Sequence, residues 1–354
     1  MSSLDILVLG ASYGLLPAVR MLLAGHCVTV VCREAEQKDI LRNGASISFL
    51  RRSGVIDRRL HVPATGGFST DGFLGVTGVE VDPSSLDMVF LAMAEPHYGA
   101  PEVAALMRRI ALAGLPVISL MNALPPPFLR RLGSVDVDQL RAAYASWSVW
   151  DILDPSLISA ASPDAQAIRP DPSRPFELAV TLASNFKVAP FARPEHQQRL
   201  EAIAQDVSAY RQDGAPLPVR ILAHNALHVP LAKWPMLIAG NCRCLHADGR
   251  IVSIAEAVHA DLNQSRRLYD WVTGVVVKTG ADPADLVPFD YYASAAKALT
   301  RPSSFARAIG AGAPLIERVD KMVLLAGQAL GLDVPQALEG IVAVVDKILA
   351  QRSA

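Results

Sequence analysis

Apolar and polar positions along the chain fall into two regimes. In the first half, short unbroken apolar runs alternate with stretches of helical period. The runs lie at 5–9, 28–32, 46–50, 87–93 and 116–121, each rich in Val, Ile, Leu or Met, as strands buried on both faces should be. Between them, helical spacing predicts helices over 15–24, 35–43, 99–113 and 137–143. A Pro-, Ser- and Asp-rich stretch at 154–175 reads as a loop, and 176–183 and 187–191 read as further strands. From Pro194 onward the helical period holds almost throughout: 194–212, 219–230, 235–245, 251–280, 290–300, 303–309, 313–332 and 335–351. The pattern predicts a parallel α/β domain over 1–192 and an all-helical domain over 193–354, with a cleft between them.

The opening segment adds chemistry to that pattern. The run Leu4–Leu9 feeds into Gly10-Ala11-Ser12-Tyr13-Gly14, a helical pattern follows to Leu23, and a second run, Val28–Cys32, ends at Arg33. Strand, glycine turn, helix and strand in that order make the first βαβ unit of a Rossmann-type dinucleotide-binding domain. Residues 10–14 are therefore the predicted pyrophosphate turn, although Ser12 stands where the usual spacing has its second glycine. The residue ending the second strand reads the adenosine ribose. Arg33 there favours the 2′-phosphate of NADPH, whereas Glu34 beside it would suit NAD.

At 354 residues, 51% hydrophobic and 19% charged, the chain has material for two cores. A net charge of −1 gives no electrostatic footprint for nucleic acid or an anionic membrane. No apolar run is long enough to span a bilayer, and the first apolar stretch reads as a strand, not a signal peptide. Cys27, Cys32, Cys242 and Cys244 lack metal-site spacing and read as reduced thiols, which predicts a cytoplasmic protein. The apolar stretches 251–280 and 313–351 are candidates for a homodimer interface.

Across nearly its whole length the chain resembles the ketopantoate reductases (2-dehydropantoate 2-reductases). The landmarks are the Gly10 turn, Arg33, Asp87–Ala94, Leu120-Met121-Asn122, Ala239-Gly240-Asn241-Cys242, Pro302-Ser303-Ser304 and Glu317. The resemblance implies hydride transfer from NADPH to a 2-keto acid. It places Met93 and Asn122 at cofactor positions, Asn241 and Ser304 at substrate positions, and Glu317 in the catalytic set, with a two-residue insertion before Glu317. Two family lysines are replaced: Met93 stands for one near the cofactor, and Leu237 for the catalytic lysine one helical turn before Asn241.

Reduction of a ketone needs a group that stabilises the developing alkoxide and a proton donor. With Leu237 unable to act, the candidates are Lys233 and, by analogy with opine-type dehydrogenases, His224, expected to share a helix face with His228. Glu95, His97 and Tyr98 are placed on the nicotinamide side, and Tyr144, Trp147, Trp150 and Asp151 are placed to shape a substrate pocket. No metal site is predicted. Two other functions fit less of the pattern: a metal-assisted rearrangement of the ketol-acid reductoisomerase type, hinted at by Glu256 and Asp261, and a non-catalytic NADP-binding sensor.

Overall fold

The computed structural model describes residues 3–51, 53–163 and 165–353. It divides into two compact units. The first takes residues up to Met93, His97–Phe128 and Ser148–Ala226; the second takes Ala94–Pro96, Leu129–Trp147 and the chain from Leu227.

The first unit begins β1 (Asp5–Leu9), α1 (Ala11–Leu23), β2 (Cys27–Val31), α2 (Glu34–Asn43), β3 (Ala45–Leu50), β4 (Ile56–Val62), β5 (Ala64–Gly66), β6 (Leu74–Thr77) and β7 (Met88–Leu91). It continues with α3 (Pro101–Leu112) and β8 (Val117–Ser119); two short helices, α4 (Pro126–Arg130) and α5 (Trp147–Trp150), straddle the unit borders. Then come β9 (Ile158–Pro163), β10 (Gln166–Ile168), β11 (Glu177–Leu182), β12 (Phe186–Val188), α6 (Pro194–Ala209), the hairpin β13 (Arg211–Gln212) and β14 (Ala215–Pro216), and β15 (Ile221–Ala223). Among the described residues the main sheet has nine strands in the order β15-β12-β9-β8-β7-β1-β2-β6-β5, and a second sheet runs β10-β11-β3-β4. The pairs that set the expected cofactor end are parallel, β1 with β2 from Asp5↔Cys27 and with β7 from Ile6↔Met88. Both faces of β1 are covered, so Ile6, Leu7, Val8 and Leu9 are all buried and the run needs no alternation.

The second unit is helical: α7 (Trp234–Met236), a π turn at Leu237–Asn241 and a 3-10 turn at Cys242–Cys244, then α8 (Ile254–His259), α9 (Leu262–Lys278), α10 (Phe289–Ala296), α11 (Ser304–Gly310), α12 (Val319–Ala329) and α13 (Gln336–Ser353). One core joins Ala239, Val258, Tyr269, Phe289, Tyr292 and Ala306. Among the described residues no helix is long and apolar enough to cross a membrane.

The structure corrects the expected pattern at several places. The stretch 154–175 is not a loop throughout, because β9 lies in the main sheet between β8 and β12 and β10 joins the second sheet, while 169–175 is irregular as expected. Strand β9 is built from small residues, with Ser159 buried and its hydroxyl donating to the Ala189 carbonyl at 2.6 Å, so it lacks the branched apolar run that marks a strand. Nor is 219–230 a helix. Val219 sits at φ 61°, Ile221–Ala223 pairs with β12, and the Asn185 side chain accepts from the Arg220 N–H at 2.8 Å. The region after Pro194 is therefore not all helical. Helix α6 packs on α1 and β15, so the expected junction at 192/193 falls inside the first unit. The predicted 251–280 helix breaks where Asp261 caps α9 by accepting from the Gln264 N–H.

Candidate functional site

The glycine turn is the best-defined element of the site. Gly10 has φ 105°, a conformation that side chains disfavour, and its N–H donates to the Val31 carbonyl at 2.9 Å. A Cβ there would lie 2.6 Å from Met93 Cγ and 3.3 Å from the Ala92 carbonyl, so the turn is closed to any larger residue. Gly14 is similarly crowded, its missing Cβ lying 2.7 Å from Val8 Cγ1, which lets α1 press onto β1. No side chain caps α1 and its first turn holds no acidic residue. Its free N–H groups and positive end therefore suit a pyrophosphate, and the residues present fit a dinucleotide. Ala11 is buried and Ser12 exposed. The Tyr13 side chain turns to packing: its hydroxyl donates to the Ala165 carbonyl at 2.7 Å and its ring meets Phe186 edge-on.

At the end of β2 the Arg33 side chain is 82% exposed, with Nε 3.2 Å from Glu36 Oε2. Glu36 is buried and takes a second guanidinium, Arg169 Nη2, at 2.7 Å on its other oxygen. Burial opposes ionisation of Glu36, yet hydrogen bonds from Arg33 and Arg169 hold its carboxyl below the usual range. Glu34, the NAD-type alternative, is exposed and pairs with Lys38 at 2.7 Å. Burial pushes the Cys32 thiol up to about 12, with Glu36 adding to the effect, so this cysteine stays protonated. Sequence reasoning missed Glu36 and Arg169. The only available signal was a glutamate three residues into a helix that starts at an arginine, and Arg169 lay in the supposed loop.

Met93 follows β7; its side chain lies against the Gly10 turn and its N–H donates to the Tyr98 hydroxyl at 3.2 Å. Asn122 follows β8 and is half-buried. Tyr98 is fully buried against Trp150, so both are core residues of the first unit and not pocket walls.

In the second unit, Ser303 joins two of the predicted substrate segments. Its hydroxyl donates to the Asn241 carbonyl at 2.7 Å and accepts from the Ala306 N–H at 3.2 Å, capping α11. Ser304, beside it, is exposed. Asn241 ends the π turn, a geometry often kept for function. Leu237 is buried, and Lys233, half-buried, ends a 3-10 turn that runs into α7. Glu95 is buried and accepts from the N–H groups of Ala145 and Ser146 at 3.0 and 2.8 Å, a structural role. Burial, then Glu95 and Glu317, push the Tyr144 phenol well above its ordinary value, which puts Glu317 among the charged neighbours of a buried tyrosine. Trp147 packs between Tyr144 and the guanidiniums of Arg130 and Arg141.

The histidine pair does not share a helix face. His224 follows β15 in the first unit, where its Nδ1 accepts from the Ala226 N–H at 3.0 Å, leaving Nε2 to carry the proton. His228 is in the second unit with Nε2 2.9 Å from the Thr279 carbonyl, and His259 Nε2 is 2.9 Å from the Ala293 carbonyl. Glu256 pairs with Arg250, and Asp261 is spent on its cap. Among the described residues no group of three His, Cys, Asp or Glu side chains is placed to hold a metal ion.

No protein-family model matches the sequence, and no curated protein is similar to it at a significant level. Solved structures match over the full length. A ternary complex of D-mandelate dehydrogenase with NADH and anilino(oxo)acetate aligns with TM-score 0.65 at 12% identity, covering 99% of each chain. A PanE/ApbA family ketopantoate reductase from Ralstonia eutropha JMP134 aligns with TM-score 0.61 at 18% identity, covering 99% of each chain. A dimeric ketopantoate reductase from Staphylococcus aureus aligns with TM-score 0.59 at 12% identity, covering 99% of this chain and all of its own. The resemblance read from the sequence therefore holds as a likeness of fold: the chain has the two-domain ketopantoate reductase fold.

Proposed function

We propose that the chain is an NADPH-dependent oxidoreductase that reduces the carbonyl of a 2-keto acid or a related compound. One observation carries this reading. The fold shared with D-mandelate dehydrogenase and the ketopantoate reductases is combined here with a glycine turn closed to side chains at the uncapped start of α1. A bound reduced nicotinamide supplies the hydride. Ala11 and Ser12 hold the pyrophosphate through backbone N–H groups, Gly10 and Gly14 leave the room for its close approach, and Arg33 takes the 2′-phosphate. Met93 and Asn122 border the nicotinamide half.

Asn241 and Ser304 orient the substrate through their side-chain dipoles, and Glu317 completes the catalytic set. As the carbonyl oxygen gains the electron pair displaced by the hydride, it takes a proton, which we assign to Lys233 Nζ, with His224 Nε2 as the second candidate. The free thiols of Cys27, Cys32, Cys242 and Cys244 suit a reducing compartment, so the working form is read as a cytoplasmic enzyme. A homodimer is the assembly we expect, as for the dimeric neighbour.

The test is oxidation of NADPH against a panel of 2-keto acids and β-keto compounds, ketopantoate included, with and without magnesium. Turnover with one substrate, lost in Lys233→Met or His224→Gln, supports the reading. Tight NADPH binding with no turnover on any carbonyl would favour a sensor, for which the buried Leu237 in the lysine position is the motivating feature. Turnover only with magnesium would favour a rearrangement.

A further inference from the structure

Arg33, Glu36 and Arg169 form a cluster whose construction goes beyond one arginine at a strand end. An exposed pair such as Arg33–Glu36 would by itself be loosely held and worth little. Here the carboxylate is 11% exposed and cannot swing, because each oxygen has its own cation. Oε2 accepts from both the backbone N–H and Nε of Arg33, at 3.3 and 3.2 Å. Oε1 faces Arg169 Nη2, and that side chain is itself only 17% exposed. Arg169 arrives from the end of β10 in the second sheet, so it ties α2 to a different layer of the same unit.

Two consequences follow for Arg33. Its guanidinium is gripped by the Nε edge, which leaves the two Nη groups presented outward as a fork of the kind that binds phosphate bidentately. The cluster also keeps one net positive charge, because two guanidiniums share one carboxylate. Buried ion pairs are often no more stabilising than apolar replacements, so stability alone is a weak account of the Arg169–Glu36 pair.

We propose that Arg169, acting through Glu36, is a positioning residue that sets the preference for a 2′-phosphorylated nucleotide over its unphosphorylated counterpart. The inference rests on the reading of Arg33 given above. Without Arg169, Glu36 keeps its charge but loses its anchor, and Arg33 loses both its fixed orientation and the excess positive charge beside it. A 2′-hydroxyl gains little from either property, so NADH binding is nearly insensitive to the change.

The test is calorimetric Kd for NADPH and for NADH on the full chain, as wild type, Arg33→Ala, Arg169→Met, Arg169→Lys and Glu36→Gln. Arg169→Met should reduce the NADPH-over-NADH preference about tenfold, the equivalent of one charge-assisted hydrogen bond, with NADH Kd steady. Arg169→Lys should restore part of the preference. Glu36→Gln should also lower it, although this variant raises the local positive charge; charge counting alone predicts the opposite sign. An unchanged preference in Arg169→Met and Glu36→Gln, or equal losses for both nucleotides, overturns the inference while leaving the reductase reading intact. Should Arg169→Met fail to fold, the Lys and Gln variants decide on the same ratio. A wild type that binds neither nucleotide, or whose preference Arg33→Ala leaves unmoved, overturns the inference together with the reading beneath it.

Discussion

Gly10→Ala tests the nucleotide turn against a control that the structure supplies. Gly10 has φ 105° and Gly25, at the other end of α1, has φ 98°, so an alanine at either position carries a similar backbone penalty. Held positive-φ backbone costs roughly 1–3 kcal/mol for a residue with a side chain. The surroundings differ. A Cβ at Gly25 meets nothing within 4 Å, whereas one at Gly10 lies 2.6 Å from Met93 Cγ and 3.3 Å from both the carbon and the oxygen of the Ala92 carbonyl. Met93 can rotate away, but the Ala92 backbone is held in place by its own N–H, which donates to the Leu9 carbonyl at 2.9 Å. Overpacking of this kind costs about 1–3 kcal/mol, so urea unfolding should show Gly10→Ala less stable than Gly25→Ala by that amount. A difference in nucleotide binding should accompany it. Gly25→Ala should bind NADPH like wild type, and Gly10→Ala should lose at least about tenfold in Kd, since the added methyl forces the turn open where the pyrophosphate is expected. Wild-type NADPH affinity in a folded Gly10→Ala variant would refute the assignment of this turn. Equal stability of the two variants would refute the crowding argument.

Other outcomes follow from the same geometry. Asn241→Ala should lower kcat about tenfold to a hundredfold with the melting temperature nearly unchanged, because the contact to Ser303 uses the backbone carbonyl and not the side chain; full activity would place Asn241 outside the site. Asp320→Asn should destabilise the second unit by about 2 kcal/mol, since it removes the charge and one acceptor of a fully buried bidentate partner of Arg318 while Asp346 still pairs with that guanidinium; a loss under about 1 kcal/mol in chemical unfolding would contradict that burial argument. His26 is buried, its Nδ1 accepts from the Leu4 N–H at 3.3 Å, and burial lowers its pKa below 6.5 against the opposing charge of Asp206. The unfolded chain therefore takes up a proton that the folded one resists, and stability should fall as pH drops below 6.5 and continue to fall until the folded-state value is passed. His26→Gln should flatten that part of the profile, and an unchanged slope would show that another group sets it.

The sequence made the first βαβ unit readable because burial on both faces of β1 and β2 leaves continuous apolar runs, and because Gly10 is a backbone requirement visible as a residue type. Strand β9 was hidden for the opposite reason. Its residues are small and partly hydroxylic, and what makes it a strand is pairing with β8 and β12 far away in the chain. Strand β15 was misread because three residues with an apolar neighbourhood cannot be told from a helical turn until β12 is placed beside them. The cluster around Glu36 was half legible for a related reason. Arg33 follows from its position after β2, whereas Arg169 reaches Glu36 only because the second sheet packs on α1 and brings the end of β10 to the start of α2, a contact separated by more than a hundred residues of chain.

The position that the resemblance assigns to a lysine takes on a different meaning once the local backbone is known. Counting one helical turn back from Asn241 leads to Leu237 only if the turn is an α-turn, and here those five residues form a π turn. A π turn holds more residues per revolution, so the position that shares Asn241's face shifts toward Met236, whose own carbonyl accepts from the Tyr292 hydroxyl at 3.2 Å. Gly240 is required there, since a Cβ would lie 2.0 Å from that hydroxyl. Tyr292 therefore fits the widened turn in both respects, through its bond to Met236 and through the space at Gly240. In the proposed reductase the segment carries Asn241 at the end of a turn whose position 237 is an apolar leucine, so Lys233, in the 3-10 turn just before α7, is the first side chain to replace.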